Sequence, residues 1–326
     1  WFKNVFYQMQ HVTSFVILNN IYCIPTYVVW MTLLFPVKVY QPQVYWRIEG
    51  LFFHWLLAMV STWTWSAGYD IIEQGDDIQE IISERTLVIA NHQSTGDVPI
   101  LMTTFNAKPN VLPNLMWIMD RIFKFTNFGI VSILHQDFFI VSGRKQREGS
   151  LKKLEKHLKE TYIPLSRKWM VLFPEGGFLC KRRETSQKYA KKNNLPILEN
   201  VTLPRVGAMQ TIFDTIGPSQ ENNTAEQQLN SRPNMTAAKP QINWILDITI
   251  AYPQGLGSIS GDFHSILHVC FVIRYLKYYL EMELRNVIVN CYCCFEAVIV
   301  NTISKNIHLF VIHNKKKVFF NAKSII

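Results

Sequence analysis

Directly after an apolar run at 86–90 the chain reads Asn91, His92, Gln93, Ser94, Thr95, Gly96, Asp97. A histidine with an aspartate five residues on, where a strand turns into a helix, has the makings of an acid–base pair. The turn can bring the carboxylate to one imidazole nitrogen and leave the other facing a cleft. The aspartate then fixes the tautomer and stabilises the imidazolium, as in a catalytic triad. No serine nucleophile is needed where the substrate brings its own hydroxyl, which His92 would deprotonate directly. The spacing also recurs by chance, and its plain reading is a helix-capping Asn91 beside an ordinary surface histidine.

A second stretch, Phe173-Pro174-Glu175-Gly176-Gly177, follows an apolar run at 169–173. Glycines at a strand end let backbone approach a ligand closely, and their N–H groups can hold a phosphate or an oxyanion. The alternative is a plain turn, since proline and glycine punctuate loops anyway. Lys181, Arg182 and Arg183 come next, then Lys188, Lys191 and Lys192. Such a run suits a phosphate-bearing substrate or an anionic membrane, and equally a solvated basic face.

The elements that must position these residues follow from hydrophobic patterning. The runs at 86–90, 128–134, 137–141, 169–173, 201–203 and 244–250 read as strands, and 147–161 as an amphipathic helix. Strands alternating with a helix predict an α/β sheet over residues 70–254. Before it, residues 1–69 hold two apolar stretches, His11 to Tyr40 and Gly50 to Tyr69. Each is long enough to cross a bilayer of ~30 Å, and the aromatic residues suit the interface. They read as anchoring helices, with buried or in-plane helices as the alternative. Residues 217–241 form a polar surface insert rich in Asn, Gln, Ser, Thr and Pro. Residues 255–326 are an atypical tail, read either as a third anchor or as a mispredicted end.

Composition agrees with an anchored enzyme. Of 326 residues 48% are hydrophobic and only 17% charged, below the roughly 25% usual for a soluble domain. That excludes a disordered or acidic-tail chain. The mean hydropathy of +0.05 argues against a polytopic channel. The net charge is +9, and much of the positive charge sits beside the second stretch, where it reads as attraction for a phosphate-bearing ligand rather than as a nucleic-acid signal. The six cysteines lack the regular spacing of a small secreted framework and read as free thiols.

Together, His92 and Asp97 in an Asn-His-x₄-Asp block, the Phe-Pro-Glu-Gly block some 80 residues later and Val201 to Arg205 resemble the glycerolipid acyltransferase family. Longer runs at 117–120, 124–132, 172–179, 181–187, 190–196 and 249–253 are similar to its lysophosphatidylglycerol-acylating members. The resemblance covers roughly residues 12–254. It implies a mixed-sheet α/β acyltransferase domain preceded by one or two apolar membrane-anchoring helices. It also implies transfer of an acyl group from acyl-CoA to a lysophospholipid at a membrane, that of the endoplasmic reticulum. His92 is implied as general base, Asp97 as its orienting partner, and Glu175, Gly176 and Gly177 as the acceptor-binding block. Pro204 falls in the block linked to acyl-CoA binding or packing.

This chain departs from the family in its second block, which usually reads Gly-x-x-Phe-Ile-x-Arg. Gln136 stands for the glycine and Ser142 for the arginine. Arg144 and Arg182 are then the candidates for a phosphate contact. No metal or redox cofactor is implied, and the sequence does not set the oligomeric state. Two other readings stand beside this one. One is a catalytically inactive lipid-binding protein. The other is a family member acting on lysocardiolipin or lysophosphatidylethanolamine. His264 with His268, and Cys291, Cys293 and Cys294, are weak metal candidates, since neither set has a further ligand at the right spacing. His135 reads as packing.

Overall fold

Every side chain of the strand Thr86–Ala90 is buried, and they alternate between two cores. Val88 and Ala90 face one, Leu87 and Ile89 the other. Strands with both faces covered read as continuous apolar runs, which is why this segment and Trp169–Leu172 show no polar alternation. The computed structural model describes residues 10, 13–66, 70–141, 143, 146–218 and 241–251 in full, and 69 and 265–275 as backbone.

Among the described residues the strands are β1 (Tyr69–Gly75), β2 (Thr86–Ala90), β3 (Leu115–Asp120), β4 (Phe138–Ile140), β5 (Trp169–Leu172), β6 (Trp244–Ala251) and β7 (Ser265–Tyr275). They form one mixed sheet in the order β1-β7-β6-β2-β5-β3-β4. All neighbours are parallel except β6 and β7. The fold is the mixed-sheet α/β domain the sequence predicts. β2 and β5 lie side by side with Thr86 opposite Trp169. The two motif-bearing segments therefore leave the same edge of the sheet from adjacent strands, the usual place for a ligand crevice in an open α/β sheet.

The helices are α1 (Thr13–Leu33), α2 (Phe35–Tyr40), α3 (Pro42–Ser66), α4 (Asp97–Asn106), α5 (Asn127–His135), α6 (Arg147–His157), α7 (Leu179–Lys192) and α8 (Val206–Ile216). In α1, residues Asn19–Cys23 form a π-helical turn. Leu154 of α6 and Met209 and Ile212 of α8 fill one face of the sheet, while Tyr27, Met31, Phe53, Leu56 and Leu57 of α1 and α3 join the core on the other.

Three expectations change. The run Phe128 to Leu134 is not a strand but lies within α5. Thr126 caps that helix by accepting from the Gly129 N–H, and Gln136 ends it in the left-handed region at φ 65°. Residues 201–203 are an unpaired loop rather than a strand. The stretch from Gly50 is the inner part of α3, with Phe53, Leu56, Leu57 and Val60 buried against the domain. Among the described residues α1 is the one helix long and apolar enough to cross a membrane. The tail beyond 275 and most of the 217–241 insert lie outside the described residues.

Gln136 stands where the second block usually has glycine. The position it shares with the family's glycine is left-handed, a conformation glycine adopts freely and glutamine at some cost.

Candidate active site

β2 ends at Ala90, and Asn91 continues the strand by side-chain mimicry. Its Nδ2 donates to the Ile250 carbonyl at 3.0 Å, and its Oδ1 accepts from the Ile250 N–H at 2.7 Å. This pins the turn to β6, so Asn91 is a strand anchor rather than a helix cap. The chain then turns, and α4 begins at Asp97. Asp97 Oδ2 accepts from His92 Nδ1 at 2.9 Å, from the Gln93 N–H at 2.7 Å and from the Ser94 N–H at 2.9 Å. A carboxylate oxygen facing three donors keeps a proton on Nδ1 and leaves Nε2, across the ring, as the basic nitrogen. Asp97 is fully buried and His92 nearly so. The imidazole stacks on Phe173 with ring centres 4.1 Å apart and leans on Phe178 at 4.4 Å. Phe173 opens the second motif and Phe178 directly follows it, so the two motifs share one apolar wall.

The backbone of His92 is held from both sides. Its N–H donates to Glu175 Oε1 at 2.7 Å, and its carbonyl accepts from the Leu179 N–H at 2.9 Å. Glu175 does not point into the cleft. It is 2% exposed, and its Oε2 accepts from the N–H and the hydroxyl of Thr202, each at 2.9 Å. One carboxyl thus ties the loops at 91–97, 173–177 and 201–205 together. Burial pushes it up to about 7. The His92 and Thr202 donors oppose that rise, and nearby Asp97 adds to it.

A carboxyl that holds its proton more tightly in the folded chain stabilises the fold most below its unfolded value near 4.5, and that stability is lost as pH rises through about 7. At ~1.4 kcal/mol per pKa unit the effect is on the order of 3 kcal/mol. Thermal melts should therefore fall between about pH 5 and pH 8. Glu175→Gln should melt lower overall, because its amide meets N–H donors, but with a flatter pH profile. An unchanged pH slope in that variant would refute this account.

Gly176 and Gly177 adopt φ +67° and +153°. A Cβ at Gly176 would sit 2.9 Å from Arg205 Cδ, and one at Gly177 would sit 3.0 Å from Arg182 Nε. The glycines therefore make room for two arginines. Arg182 Nη2 donates to the Gly176 carbonyl at 3.2 Å, and the Arg205 N–H donates to the Pro174 carbonyl at 2.8 Å. A third guanidinium, that of Arg147, lies against Gly207 at the start of α8. Among the described residues none of the three forms an ion pair with a carboxylate. Burial, then the like charges of Arg182 and Arg147, lower Arg205 from its ordinary value, and Asp120 opposes them.

The structure thus brings His92, Asp97, Glu175, Gly176, Gly177 and Arg182 together, with Pro204 half-buried in the adjoining loop. Arg144, Ser142, His264 and the cysteines at 291, 293 and 294 lie outside the described residues. His135 is fully buried and bonded to Glu49, as a packing residue. Arg147 was not picked out by the sequence pattern, and Arg205 entered it only as the last residue of the 201–205 block. Each is a single basic residue at the start of its own helix, and only the tertiary fold makes them neighbours of Arg182.

The acyltransferase family profile matches residues 71–205. Acyl-CoA:lysophosphatidylglycerol acyltransferase 1 of Homo sapiens is 46% identical over 241 residues, which make up 74% of this chain and 65% of that protein. The Mus musculus protein of the same name is 47% identical over the same length and shares. The chain spans just under two thirds of the length of these curated relatives. A crystal structure of the 1-acyl-sn-glycerophosphate acyltransferase PlsC from Thermotoga maritima overlays with a TM-score of 0.49 at 13% identity, over 92% of this chain and 97% of that one. The motif blocks at 91–97, 173–177 and 201–205 lie inside the segment that matches the acyltransferase family, and relatives named as acyltransferases align with 74% of the chain.

Proposed function

We propose that this chain transfers a fatty acyl group from acyl-CoA to a free hydroxyl of a lysophospholipid, with His92 as general base and Asp97 as its orienting partner. The observation that carries the reading is the His92–Asp97 hydrogen bond of 2.9 Å beside three arginines without a carboxylate partner among the described residues. A base that deprotonates a hydroxyl and a cluster that neutralises a phosphate suit an acceptor carrying both groups.

In this mechanism Nε2 of His92 takes the hydroxyl proton as the acceptor oxygen attacks the thioester carbonyl. The tetrahedral intermediate collapses, the C–S bond breaks, and the sulfur leaves with the proton returned from His92. The products are a new oxygen ester and CoA. The Gly176 N–H already donates to the Phe173 carbonyl at 3.1 Å. The N–H groups of Gly177 and Phe178 are therefore this loop's candidates for the oxyanion. The chemistry as written draws on no metal or redox cofactor.

Lysophosphatidylglycerol is the acceptor we favour, on the names of the human and mouse relatives. The same resemblance favours the endoplasmic reticulum membrane. The test is transfer of labelled acyl groups from acyl-CoA across a panel of lysophospholipids. Turnover highest with lysophosphatidylglycerol is the expected result. Binding without turnover on the whole panel would reject the enzyme in favour of a lipid-binding protein.

Arg182, Arg147 and Arg205 are assigned the acceptor phosphate. Arg182→Gln and Arg205→Gln should each raise KM for a phosphate-bearing acceptor by roughly 10- to 100-fold, the worth of ~1.5–3 kcal/mol for a hydrogen bond to a charged group, with kcat little changed. A monoacylglycerol acceptor, which has no phosphate, should be indifferent to either substitution. Equal losses on both acceptors would remove the assignment.

A further inference from the structure

Between β3 and α5 the chain makes a short 3₁₀ turn, Arg121–Phe125, whose apolar side chains face outward. Ile122 is 69% exposed and Phe125 80%, with Phe123 also at the surface. Arg121 and Lys124 alternate with them and are exposed too.

The shape of this turn does not depend on burying those side chains. Asp120 Oδ1 accepts from the Ile122 N–H at 3.0 Å, and the Thr126 hydroxyl donates to the Phe123 carbonyl at 2.7 Å. Gly129 lets α5 press directly on the turn, since a Cβ there would fall 2.0 Å from the Phe123 carbonyl oxygen. Polar bonds and a glycine contact thus hold Ile122 and Phe125 out in the open.

The apolar surface continues beyond the turn. Ile130 and Ile133 of α5 are exposed, and so are Ile17, Leu18, Ile21 and Tyr22 of α1. Asn127 Nδ2 donates to Asn20 Oδ1 at 3.1 Å, which sets the turn beside the middle of α1. From Cys23 onward one side of α1 is buried in the domain core, whereas most of its described residues before that are exposed. The turn therefore flanks the level at which this apolar helix leaves the protein body. Apolar groups interleaved with cations, and continuous with a helix able to cross a bilayer, match the chemistry of a lipid interface rather than of water.

We propose that the Arg121–Phe125 turn inserts into the interface of the bilayer entered by α1, with Ile122 and Phe125 below the headgroups and Arg121 and Lys124 at the lipid phosphates. Asp120, which begins the turn, lies close enough to Arg205 to act on its charge. Insertion therefore holds the arginine cluster near headgroup level, where a membrane-borne acceptor presents its phosphate. That last consequence rests on the proposed reaction; the insertion itself does not.

The test uses the full chain in phosphatidylcholine–phosphatidylglycerol vesicles, with a photoreactive diazirine amino acid in place of Ile122, Phe125 or the exposed Tyr189 of α7. After irradiation, lipid adducts are counted by intact-mass spectrometry. Adducts at positions 122 and 125 should exceed those at 189 by at least about fivefold. Equal yields at all three positions, or no adduct at 122 and 125, overturn the proposal. The double variant Ile122→Asp with Phe125→Asp should lose roughly tenfold in turnover on vesicle-borne acceptor and keep its turnover on a short-chain, water-soluble one. Equal losses on both acceptors, or no loss on the vesicles, also overturn it. Crosslinking needs no turnover, so an inactive wild-type chain would reject the proposed reaction and leave the adduct yields to decide the insertion.

Discussion

His92→Ala should lower turnover by about 10²- to 10⁴-fold, the usual contribution of a positioned general base. The change removes only the imidazole. The loop is held through the backbone of His92, by Glu175 Oε1 on its N–H and by the Leu179 N–H on its carbonyl. The variant should therefore fold, and KM for both substrates should hold near the wild-type value. Asp97→Asn tests the partner. An amide oxygen in the place of Oδ2 can still accept from the Gln93 and Ser94 N–H groups and from His92 Nδ1, but it carries no charge to stabilise the imidazolium, so the loss of turnover should also be large. The two residues act as a unit, so the double variant should fall little below His92→Ala alone. The measurement is single-turnover acyl transfer with labelled acyl-CoA, with folding checked by circular dichroism. A folded His92→Ala variant of unchanged rate would reject the mechanism.

The sequence made the strands legible where burial is two-sided. The runs at 86–90, 169–173 and 244–250 are apolar because they lie inside a sheet covered on both faces, and length separates them from helices. The run at 128–134 failed for the same reason. A short apolar stretch carries no periodicity that distinguishes strand from helix. The informative signals lay at its ends, in Thr126 as an N-cap and Gln136 as a left-handed stop. The apolar stretch from Gly50 misled in another way. Its residues are apolar because one side of α3 is core, and composition alone does not distinguish protein interior from lipid.

The site shows the same division. His92 and Asp97 are five residues apart and were readable as a pair. Glu175 was readable as a motif residue but not as the tie between three loops, because Thr202 lies 27 residues away in sequence. Arg147 had no local signal, and Arg205 was readable only as the end of the 201–205 block, not as a neighbour of Arg182. Their meaning comes from the glycines at 176 and 207, which let side chains from α6 and the loop before α8 approach a common surface.

The largest loss of stability should come from a residue far from the reaction, Glu49. It is the lone acid of α3 and is completely buried. Its Oε1 accepts from the Tyr27 hydroxyl of α1 and from His135 Nδ1 of α5, both at 2.6 Å. Arg167 Nη2 lies 3.7 Å from Oε2 and donates to the His135 carbonyl at 2.9 Å. His135 Nε2 faces the Leu115 carbonyl at 2.9 Å, so the ring bridges the Glu49 carboxylate and the backbone of the sheet. Phe53 stacks flat against it at 3.4 Å. Glu49 is thus a buried carboxylate held by Tyr27, His135 and the nearby Arg167, and through it α1, α3 and α5 are joined to the sheet. Glu49→Ala would leave Arg167 buried without that counterion, and Tyr27 and His135 buried without their acceptor, at a cost of about 3–5 kcal/mol. In a chain of this size that should lower the melting temperature by on the order of 5–15 °C. Glu49→Gln keeps the shape and an acceptor for Tyr27, and should lose less. The loss should also be shared with the partners. In a double-mutant cycle, His135→Phe should recover part of the Glu49→Ala deficit by removing one stranded polar group. Strict additivity of the two substitutions would show that the Glu49–His135 hydrogen bond does not join the helices to the domain.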